Sequence, residues 1–355
     1  MNKRLYLWIG LLFVLLACNM GSPASPPNSD LLATLSASTP LTGSPAAPAT
    51  TVQAPTPAFN LSTPIPSTVS VPTSSDAVTD QPNGQIVFTC QVFKVRASNQ
   101  ICIINADGTG FRRLTTDDTK QHVYSSLSPD GRSVVYTAFR EANVYEIYEM
   151  QLATGNVVKL TNRIGILNAP EISPNLKSIV FTRSTGLTNK YQIWLMDRDG
   201  KDMGNIPKAS GWDPTWSPDG KYILFASDMD GVVQLFTIHI NGKELHRISS
   251  LPAIRGRSDW SPDGKYIVTY SGAPWKHEVY IMNADGSNAH VISPLGGNSQ
   301  GASFSPDSQW VTFTAYFDHP NDDHGCEIYI MRVDGTELRR LTDNDYCDYQ
   351  PRWGP

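Results

Sequence analysis

The sequence predicts an all-β protein, a six-bladed β-propeller of four-stranded antiparallel blades whose ring is closed by the C-terminal strand, which completes the first blade. Three observations predict this fold: a Ser-Pro pair that recurs at constant spacing, a second series of glycine-containing turns between those pairs, and short β-rich runs between the turns. The propeller is expected to occupy residues 84–355, after segments 1–17 and 18–83 of different composition. With 355 residues and 40% apolar content, the chain is long and apolar enough for a large core.

The Ser-Pro pair marks the repeat and sets its length. A large apolar residue precedes each pair, and a proline or small residue lies two positions before that. The serines are Ser128, Ser173, Ser217, Ser261 and Ser305, at spacings of 45, 44, 44 and 44 residues. Such a period is typical of propeller blades. The C-terminal PRWGP has the same register, with Pro351 and Trp353 at the small and large positions, so it begins a sixth copy.

A second series of turns lies between the Ser-Pro pairs: NADG, LATG, DRDG, HING, NADG and RVDG. Their glycines supply the positive φ that tight hairpins need. The runs between turns, such as YILFAS and EIYIMR, each fit one short strand, so a repeat contains four strands. The first unit starts at GQIVFTC and lacks an innermost strand. We predict that PRWGP supplies it and leaves no open sheet edge.

The repeat SPDGKYILFASDMDGVVQLFTIHINGKELHRIS closely resembles the Pro-Asp repeat of the TolB propeller, a WD-repeat-like unit that also occurs in propeller domains of prolyl-oligopeptidase-type enzymes. The resemblance covers residues 84–355, with departures at SPNL, GNIPKAS and SPDSQ. It implies non-catalytic binding of a protein or peptide partner of the cell envelope, through one face or the central channel. We expect no cofactor and a monomer. Since no basic stripe is present, nucleic acid is not an expected partner.

Residues 1–17 are predicted to be a lipoprotein signal peptide. Lys3 and Arg4 precede LYLWIGLLFVLLA, a 13-residue apolar run of the length of a secretory h-region. The run ends in LLAC, which resembles the lipobox of bacterial lipoproteins and implies lipidation of Cys18. An ordinary signal peptide or an uncleaved anchor is the alternative. The expected location is therefore extracytoplasmic, periplasmic or at the cell surface, with a lipid anchor in the cell membrane.

Residues 18–83 are predicted to be a disordered tether. From residue 19 onward they contain 12 prolines, 21 serines and threonines, three charged residues and one aromatic residue, Phe59. Such a composition cannot bury enough apolar surface to offset the entropy of folding. A relaxed coil of this length reaches on the order of 45 Å, so the tether would hold the propeller away from the membrane.

Catalytic signatures are few in this sequence. It contains no HExxH, phosphate loop or dinucleotide fingerprint. Asp130, Asp219 and Asp263 share one place in SPDG, so they are interpreted as turn residues rather than catalytic carboxylates. The alternative function is a carbohydrate-active propeller of the polysaccharide lyase type with a histidine-bound metal. Its candidate histidines are His122, His277, His319 and His324.

Four cysteines of the propeller are predicted to form two disulfides. If each blade runs from the axis outward, the loop between its second and third strands and the link to the next blade share one face. Cys90 and Cys102 flank such a loop in blade 1, whereas Cys326 begins the third strand of blade 6 and Cys347 lies in the closing link. We therefore predict Cys90–Cys102 and Cys326–Cys347, with free thiols as the alternative.

The same face carries the densest aromatic and acidic clustering, in GAPWKHE, YFDHPNDDHG and DNDYCDY. We predict that a partner docks there, anchored by aromatic side chains and steered by carboxylates. Ordinary solvated loops are the alternative. The predicted binding residues are Trp275, His277, Phe317, Asp322, Asp323, Tyr346, Asp348 and Tyr349. No metal site is predicted; the alternative is a divalent ion held by His319, Asp322, Asp323 and His324.

Overall fold

The structure of the protein is a computed structural model that describes residues 81–92, 98–141, 144–185, 190–317 and 325–355. These residues form six four-stranded antiparallel sheets, the blades of a propeller ring. The predicted fold is therefore confirmed. Within these ranges, no helix has both the length and the apolar character required to cross a membrane.

Each blade is a meander of four strands that run from the axis outward. The innermost strands of blades 1 to 6 are β24 (Asp348–Gly354), β4 (Gln121–Leu127), β8 (Ile166–Ile172), β12 (Trp212–Trp216), β16 (Asp259–Trp260) and β20 (Gln300–Phe304). The second strands are β1 (Gln85–Val92), β5 (Ser133–Phe139), β9 (Ser178–Ser184), β13 (Tyr222–Ser227), β17 (Tyr266–Ala273) and β21 (Trp310–Ala315). The third strands are β2 (Ser98–Asn105), β6 (Tyr145–Gln151), β10 (Gln192–Asp197), β14 (Gln234–His239), β18 (Lys276–Asn283) and β22 (Glu327–Arg332). The outermost strands are β3 (Arg112–Arg113), β7 (Val157–Lys159), β11 (Gly204–Ser210), β15 (His246–Arg247), β19 (His290–Val291) and β23 (Arg339–Arg340).

The ring is closed by the two ends of the propeller sequence. β24 pairs antiparallel with β1, with Trp353 opposite Ile86 and Gly354 opposite Gln85. The indole Nε1 of Trp353 also donates to the carbonyl oxygen of Asn83 at 2.8 Å. The C-terminal PRWGP is thus the innermost strand of blade 1, as its register predicts.

The core consists of apolar clusters that lie between neighbouring blades. Alternate residues of β1 show the arrangement: Ile86 and Phe88 pack against blade 6, whereas Val87 packs against blade 2. Both faces of a blade are therefore buried. This burial explains why the second strands of the repeat read as continuous apolar runs rather than as alternating ones.

The Ser-Pro turns are built by side-chain hydrogen bonds. In blade 2, the Ser128 hydroxyl donates to Asp130 Oδ1 at 2.6 Å and accepts from the backbone N–H of Ser133 at 2.9 Å. The hydrogen bond from Ser128 lowers the pKa of the Asp130 carboxyl. The same bonds recur in blades 4 and 5, so the aspartates of SPDG are turn residues, as predicted.

The propeller has two distinct faces. The turn face carries the Ser-Pro turns, which join first to second strands, and the glycine turns, which join third to fourth strands. The loop face carries the loops between second and third strands and the links between blades. Because β1 begins beside the end of β24, residue 83 enters the propeller at the turn face.

Candidate binding site on the propeller axis

A cavity of about 340 Å³ lies on the axis and opens at the turn face. Its mouth is formed by one proline from each blade: Pro355, Pro129, Pro174, Pro218, Pro262 and Pro306. Its apolar wall consists of Leu127, Ile172, Trp216, Phe304 and Trp353. The volume is in the range of sites for small ligands. The cavity can therefore admit a few residues of an extended chain but not a folded domain.

The backbone adopts an unusual conformation at one repeated position, three residues before the large apolar residue, in five innermost strands and just before the sixth, β16. At this position φ is positive in all six blades, between 43° and 63°. The residues are Gln350, Tyr124, Ala169, Asp213, Arg257 and Gly301, and we call them the inner ring. In five blades the pairing to the second strand shifts register there. A left-handed conformation is unfavourable for residues other than glycine, and such strain is often retained at functional sites.

A second set of polar residues lies two positions further along each innermost strand, just before the large apolar residue. We call it the outer ring: Arg352, Ser126, Glu171, Thr215, Asp259 and Ser303. In blade 3, Glu171 Oε1 accepts from the backbone N–H of Trp216 at 3.0 Å and from the Thr215 hydroxyl at 2.9 Å. Glu171 thus joins blade 3 to blade 4.

Asp259 plays the same part between blades 5 and 6. Its Oδ2 accepts from the Ser303 hydroxyl at 2.7 Å and from the backbone N–H of Phe304 at 2.9 Å. Arg352 lies between the two carboxylates, with Nη1 at 3.4 Å from Asp259 Oδ1 and Nη2 at 3.9 Å from Glu171 Oε2. One guanidinium group therefore links blade 1 to blades 3 and 5 across the axis.

The inner ring contains a second buried arginine. Arg257 Nη2 donates to the carbonyl oxygen of Ser125 at 3.1 Å, which connects blade 5 to blade 2 on the opposite side of the axis. Its guanidinium carbon lies 5.4 Å from the centre of the Tyr124 ring, and its backbone N–H donates to Asp213 Oδ2 at 3.1 Å. Arg257 and Arg352 are only 4% and 5% exposed, so both positive charges are buried on the axis.

Burial changes the acid–base behaviour of the axial groups. It raises the pKa of the Glu171 carboxyl, since the nearby Asp259 adds to desolvation and Arg352 only partly compensates. Burial also raises the pKa of Asp213. Desolvation and the neighbouring Arg352 lower the pKa of Arg257 to about 10, which leaves it charged at neutral pH.

Sequence reasoning missed both rings. The register count used the small residue and the large apolar residue before each Ser-Pro pair and passed over the residue between them, which is the outer-ring position. That position holds a serine, threonine, carboxylate or arginine according to the blade. Two carboxylates and an arginine at one repeat position were the available signal.

Two of the predicted aromatic residues of the loop face, Trp275 and Phe317, pack against other aromatic rings. The Trp275 ring lies 5.5 Å from that of Tyr316, whose hydroxyl is 3.8 Å from Cys347 Sγ in the closing link. Phe317 packs edge-on against Tyr329 at 5.1 Å. Trp275, Phe317, Tyr346 and Tyr349 are all half-buried. Blade 5, blade 6 and the closing link therefore meet on this face, as the sequence predicts.

The polar residues predicted for the same face are placed differently. His277 and Asp348 are each 1% exposed. His277 Nδ1 lies 2.8 Å from Asn298 Oδ1, and Asp348 Oδ2 accepts from the Asn344 amide at 2.8 Å. Little of either side chain is offered to a partner in this conformation. Asp322 and Asp323 lie outside the described residues, so their role stays a prediction.

Both predicted disulfides are present. Cys90 is bonded to Cys102 and Cys326 to Cys347, with Cα atoms 5.8 and 4.4 Å apart. The predicted pairing is confirmed. The second bond fixes the closing link to β22. Cys18, the predicted lipidation site, lies outside the described residues.

Two of the four histidines of the alternative lyase hypothesis lie in the described residues, and they are far apart. His122 is in blade 2 and His277 in blade 5, on opposite sides of the ring. Within the described ranges, no three His, Cys, Asp or Glu side chains form a group that could hold a metal ion. His319 and His324 fall in the segment 318–324, which the structure does not describe.

The closed six-bladed ring with its repeated Ser-Pro-Asp turns places the protein in the class of six-bladed β-propellers. The sequence profile of the TolB beta propeller domain matches residues 81–321, and the chain belongs to this family. Over 119 residues, 33% of the chain, it is 29% identical to the Tol-Pal system protein TolB of Francisella tularensis. That match spans only 27% of the length of this relative.

Solved structures share the fold. TolB from Acinetobacter baumannii superposes with a TM-score of 0.65 at 23% identity, over 77% of this chain and 67% of the other. Hydrazine synthase from Kuenenia stuttgartiensis gives a TM-score of 0.62 at 15% identity, over 76% of this chain and 46% of the other. At such identities the likeness shows the fold alone, and this fold occurs both in a Tol protein and in a protein named as an enzyme.

Proposed function

We propose that the protein is a non-catalytic binding protein of the cell envelope, tethered to the membrane by lipid on Cys18, and that its axial cavity binds an extended segment of a partner protein. The observation that carries this proposal is the cavity itself, which combines a ring of six prolines with three aromatic side chains, Trp216, Phe304 and Trp353. Rigid apolar and aromatic walls with a few polar groups at the base are typical of binding pockets.

The polar groups of the cavity support binding rather than catalysis. The Glu171 and Asp259 carboxylates accept backbone hydrogen bonds from neighbouring blades and pair with Arg352. Groups held in this way join blades together, and proton transfer by either carboxylate would weaken those bonds. The name of the Francisella relative, a Tol-Pal system protein, agrees with a role beside other proteins.

A second candidate surface is the loop face. Leu295, in the link between blades 5 and 6, is 80% exposed, and Gly297 two residues later packs against Phe317. An exposed leucine next to half-buried aromatic side chains is typical of protein contact surfaces. This surface also lies on the side of the ring opposite to the entry of residue 83.

Site-specific photo-crosslinking in intact cells distinguishes the two surfaces. The full chain would carry a photo-reactive phenylalanine analogue at Pro262 on the cavity mouth, at Trp275 on the loop face or at Val158, a 57% exposed residue of an outermost strand. The proposal predicts a discrete partner adduct from position 262 and none from position 158. Adducts from position 275 alone would place the partner on the loop face, and equal adducts from all three would contradict a specific site.

A further inference from the structure

Among the described charged side chains on the axis, the buried atoms that lack a hydrogen-bond partner are all donors. Arg257 Nε and Nη1, and Arg352 Nη1, have no hydrogen-bond acceptor among the described residues, although all three atoms are buried. Arg352 Nη1 has only the ion-pair contact to Asp259 at 3.4 Å. Buried guanidinium N–H groups without acceptors are costly, so an acceptor in the channel would be favoured.

Three of the four carboxylate oxygens of the outer ring already accept hydrogen bonds, and the fourth, Glu171 Oε2, has an ion-pair contact at 3.9 Å. Glu171 Oε1 accepts two hydrogen bonds, and its Oε2 faces Arg352. Asp259 Oδ2 accepts two more, and its Oδ1 accepts from the backbone N–H of Trp260 at 3.0 Å. A basic group entering the cavity would compete with Arg352 for these oxygens, whereas an acidic group would use donors that lack partners.

The two axial arginines differ in how their charge is used. Arg257 donates to the Ser125 carbonyl and, among the described residues, to no carboxylate through its side chain. Arg352 contacts both outer-ring carboxylates, Glu171 at 3.9 Å and Asp259 at 3.4 Å, and both distances are longer than a good charge-assisted hydrogen bond. A carboxylate that reaches Arg352 could therefore make a shorter contact than either of these groups does.

We infer that the segment bound in the axial cavity presents a carboxylate to Arg352, with Arg257 behind it. The carboxylate is either an aspartate or glutamate side chain or the C-terminus of a chain, since both offer the same planar pair of oxygens to a guanidinium group. This inference rests on the proposed function, because it specifies the chemistry of the segment that the cavity binds.

Tryptophan fluorescence of the full chain in detergent solution tests the inference, since Trp216 and Trp353 line the cavity. The probes are four peptides: acetyl-Ala-Asp-Ala-amide, acetyl-Ala-Asn-Ala-amide, acetyl-Ala-Lys-Ala-amide and acetyl-Ala-Ala-Ala with a free C-terminus. At pH 7 we expect the Asp peptide, the free-acid peptide or both to bind with a Kd at least tenfold lower than the Asn peptide. Which of the two binds more tightly distinguishes a side-chain carboxylate from a chain terminus.

Variants of Arg352 test whether its guanidinium group causes the preference for peptides with a carboxylate. R352Q should abolish the tenfold preference, R352K should keep part of it, and the exposed control R132Q should keep all of it. If R352Q does not unfold cooperatively, E171Q/R352Q replaces it, because that double variant removes one of the two carboxylates left without a partner. Comparable binding of all four peptides, tighter binding of the Lys peptide, or a preference unchanged in R352Q would overturn the inference.

The test remains separate from that of the proposed function. If none of the four peptides binds while crosslinking from position 262 still captures a partner, the carboxylate inference fails and the axial binding site stands. If crosslinking shows a partner on the loop face alone, the proposed function fails, and a carboxylate-selective cavity would then be a site for a free anionic peptide.

Discussion

Arg352, in the last strand of the chain, donates from Nη2 to the carbonyl oxygen of Ser258 at 3.0 Å, although the two residues are 94 positions apart. The bond crosses from blade 1 to blade 5, which are not joined by any strand pairing. The strand that closes the ring therefore also brings a charged side chain to the axis. Ring closure and the axial site therefore both depend on β24.

Removal of the Arg352 guanidinium should destabilise the propeller strongly. Arg352→Ala leaves the half-buried Glu171 and Asp259 without their ion-pair partner, and breaking a fully buried pair in this way costs about 3–5 kcal/mol, which sets the upper limit of the loss. Urea unfolding at pH 7 measures the loss. Arg132→Ala, at an exposed position of a Ser-Pro turn, is the control and should change the free energy of unfolding by less than about 0.5 kcal/mol.

The double variant Glu171→Gln/Arg352→Ala should recover part of that loss. The glutamine amide oxygen can still accept from Trp216, but one unpaired charge is gone. If the double variant is no more stable than Arg352→Ala, the cost does not arise from the unpaired carboxylate and the electrostatic account is wrong.

Trp353 tests ring closure. It is 8% exposed, packs in the cluster between blades 1 and 6, and bonds to Asn83. Trp353→Ala should lower the free energy of unfolding by about 3–5 kcal/mol, and deletion of residues 350–355 should cause aggregation by exposing a strand edge. Differential scanning calorimetry measures the first effect. Trp275→Ala, at a half-buried residue of the loop face, should cost less; an equal cost would argue against a special role of the closing strand.

Asp348 should make stability depend on pH. Burial, together with the neighbouring Glu327, raises its pKa from 3.8 to about 7 in the folded protein. Between these values the folded state holds a proton that the unfolded state has released, so the free energy of unfolding falls as pH rises from about 4 to about 7. The slope is at most about 1.4 kcal/mol per pH unit. Urea unfolding at intervals across this range measures it.

Asp348→Asn isolates this contribution, because the amide oxygen can still accept from Asn344. The variant should equal the parent protein at pH 4 and exceed its stability at pH 7. Asp202→Asn, at an exposed position, should follow the parent at every pH. A difference between Asp348→Asn and the parent that is constant with pH would show that Asp348 does not titrate in this window.

The fold could be predicted from the sequence because its determinants repeat. The Ser-Pro pair recurs in five blades and the glycine turn in all six, so their spacing gives the strand order, and the strand order brings Cys326 near Cys347. The axial rings could not be predicted in this way. Ser126, Glu171 and Arg352 hold equivalent positions but differ in chemistry. The left-handed φ of Tyr124 could not be predicted either, because a tyrosine does not favour this conformation. What differs between blades is determined by contacts across the axis, which the repeat does not encode.

Cys18 tests the membrane anchor predicted from LLAC. Cys18→Ser should release the protein from membranes or leave an unprocessed precursor, because acylation together with a thioether-linked lipid provides the hydrophobic attachment that stable anchoring needs. Membrane fractionation and the mass of the mature protein measure both effects. Unchanged processing and membrane association would rule out lipidation at this residue.

At the inner ring the positive φ favours glycine over alanine, whereas in an ordinary strand alanine is the more stabilising residue. Ala169 has a φ of 50° and is 5% exposed, so a glycine there would relieve a backbone cost of roughly 1–2 kcal/mol. Ala226 is buried in β13 with ordinary strand geometry, so Ala226→Gly should lower the free energy of unfolding by about 1–2 kcal/mol through lost burial and added chain entropy. We expect Ala169→Gly to cost at least about 1 kcal/mol less than this.

Conversely, Gly301→Ala should cost about 1 kcal/mol, although a Cβ there would meet no atom nearer than 3.8 Å, because the φ of 63° alone disfavours alanine. Urea unfolding of the three variants decides the matter: equal losses in Ala169→Gly and Ala226→Gly would mean that the innermost strands are not held in this conformation.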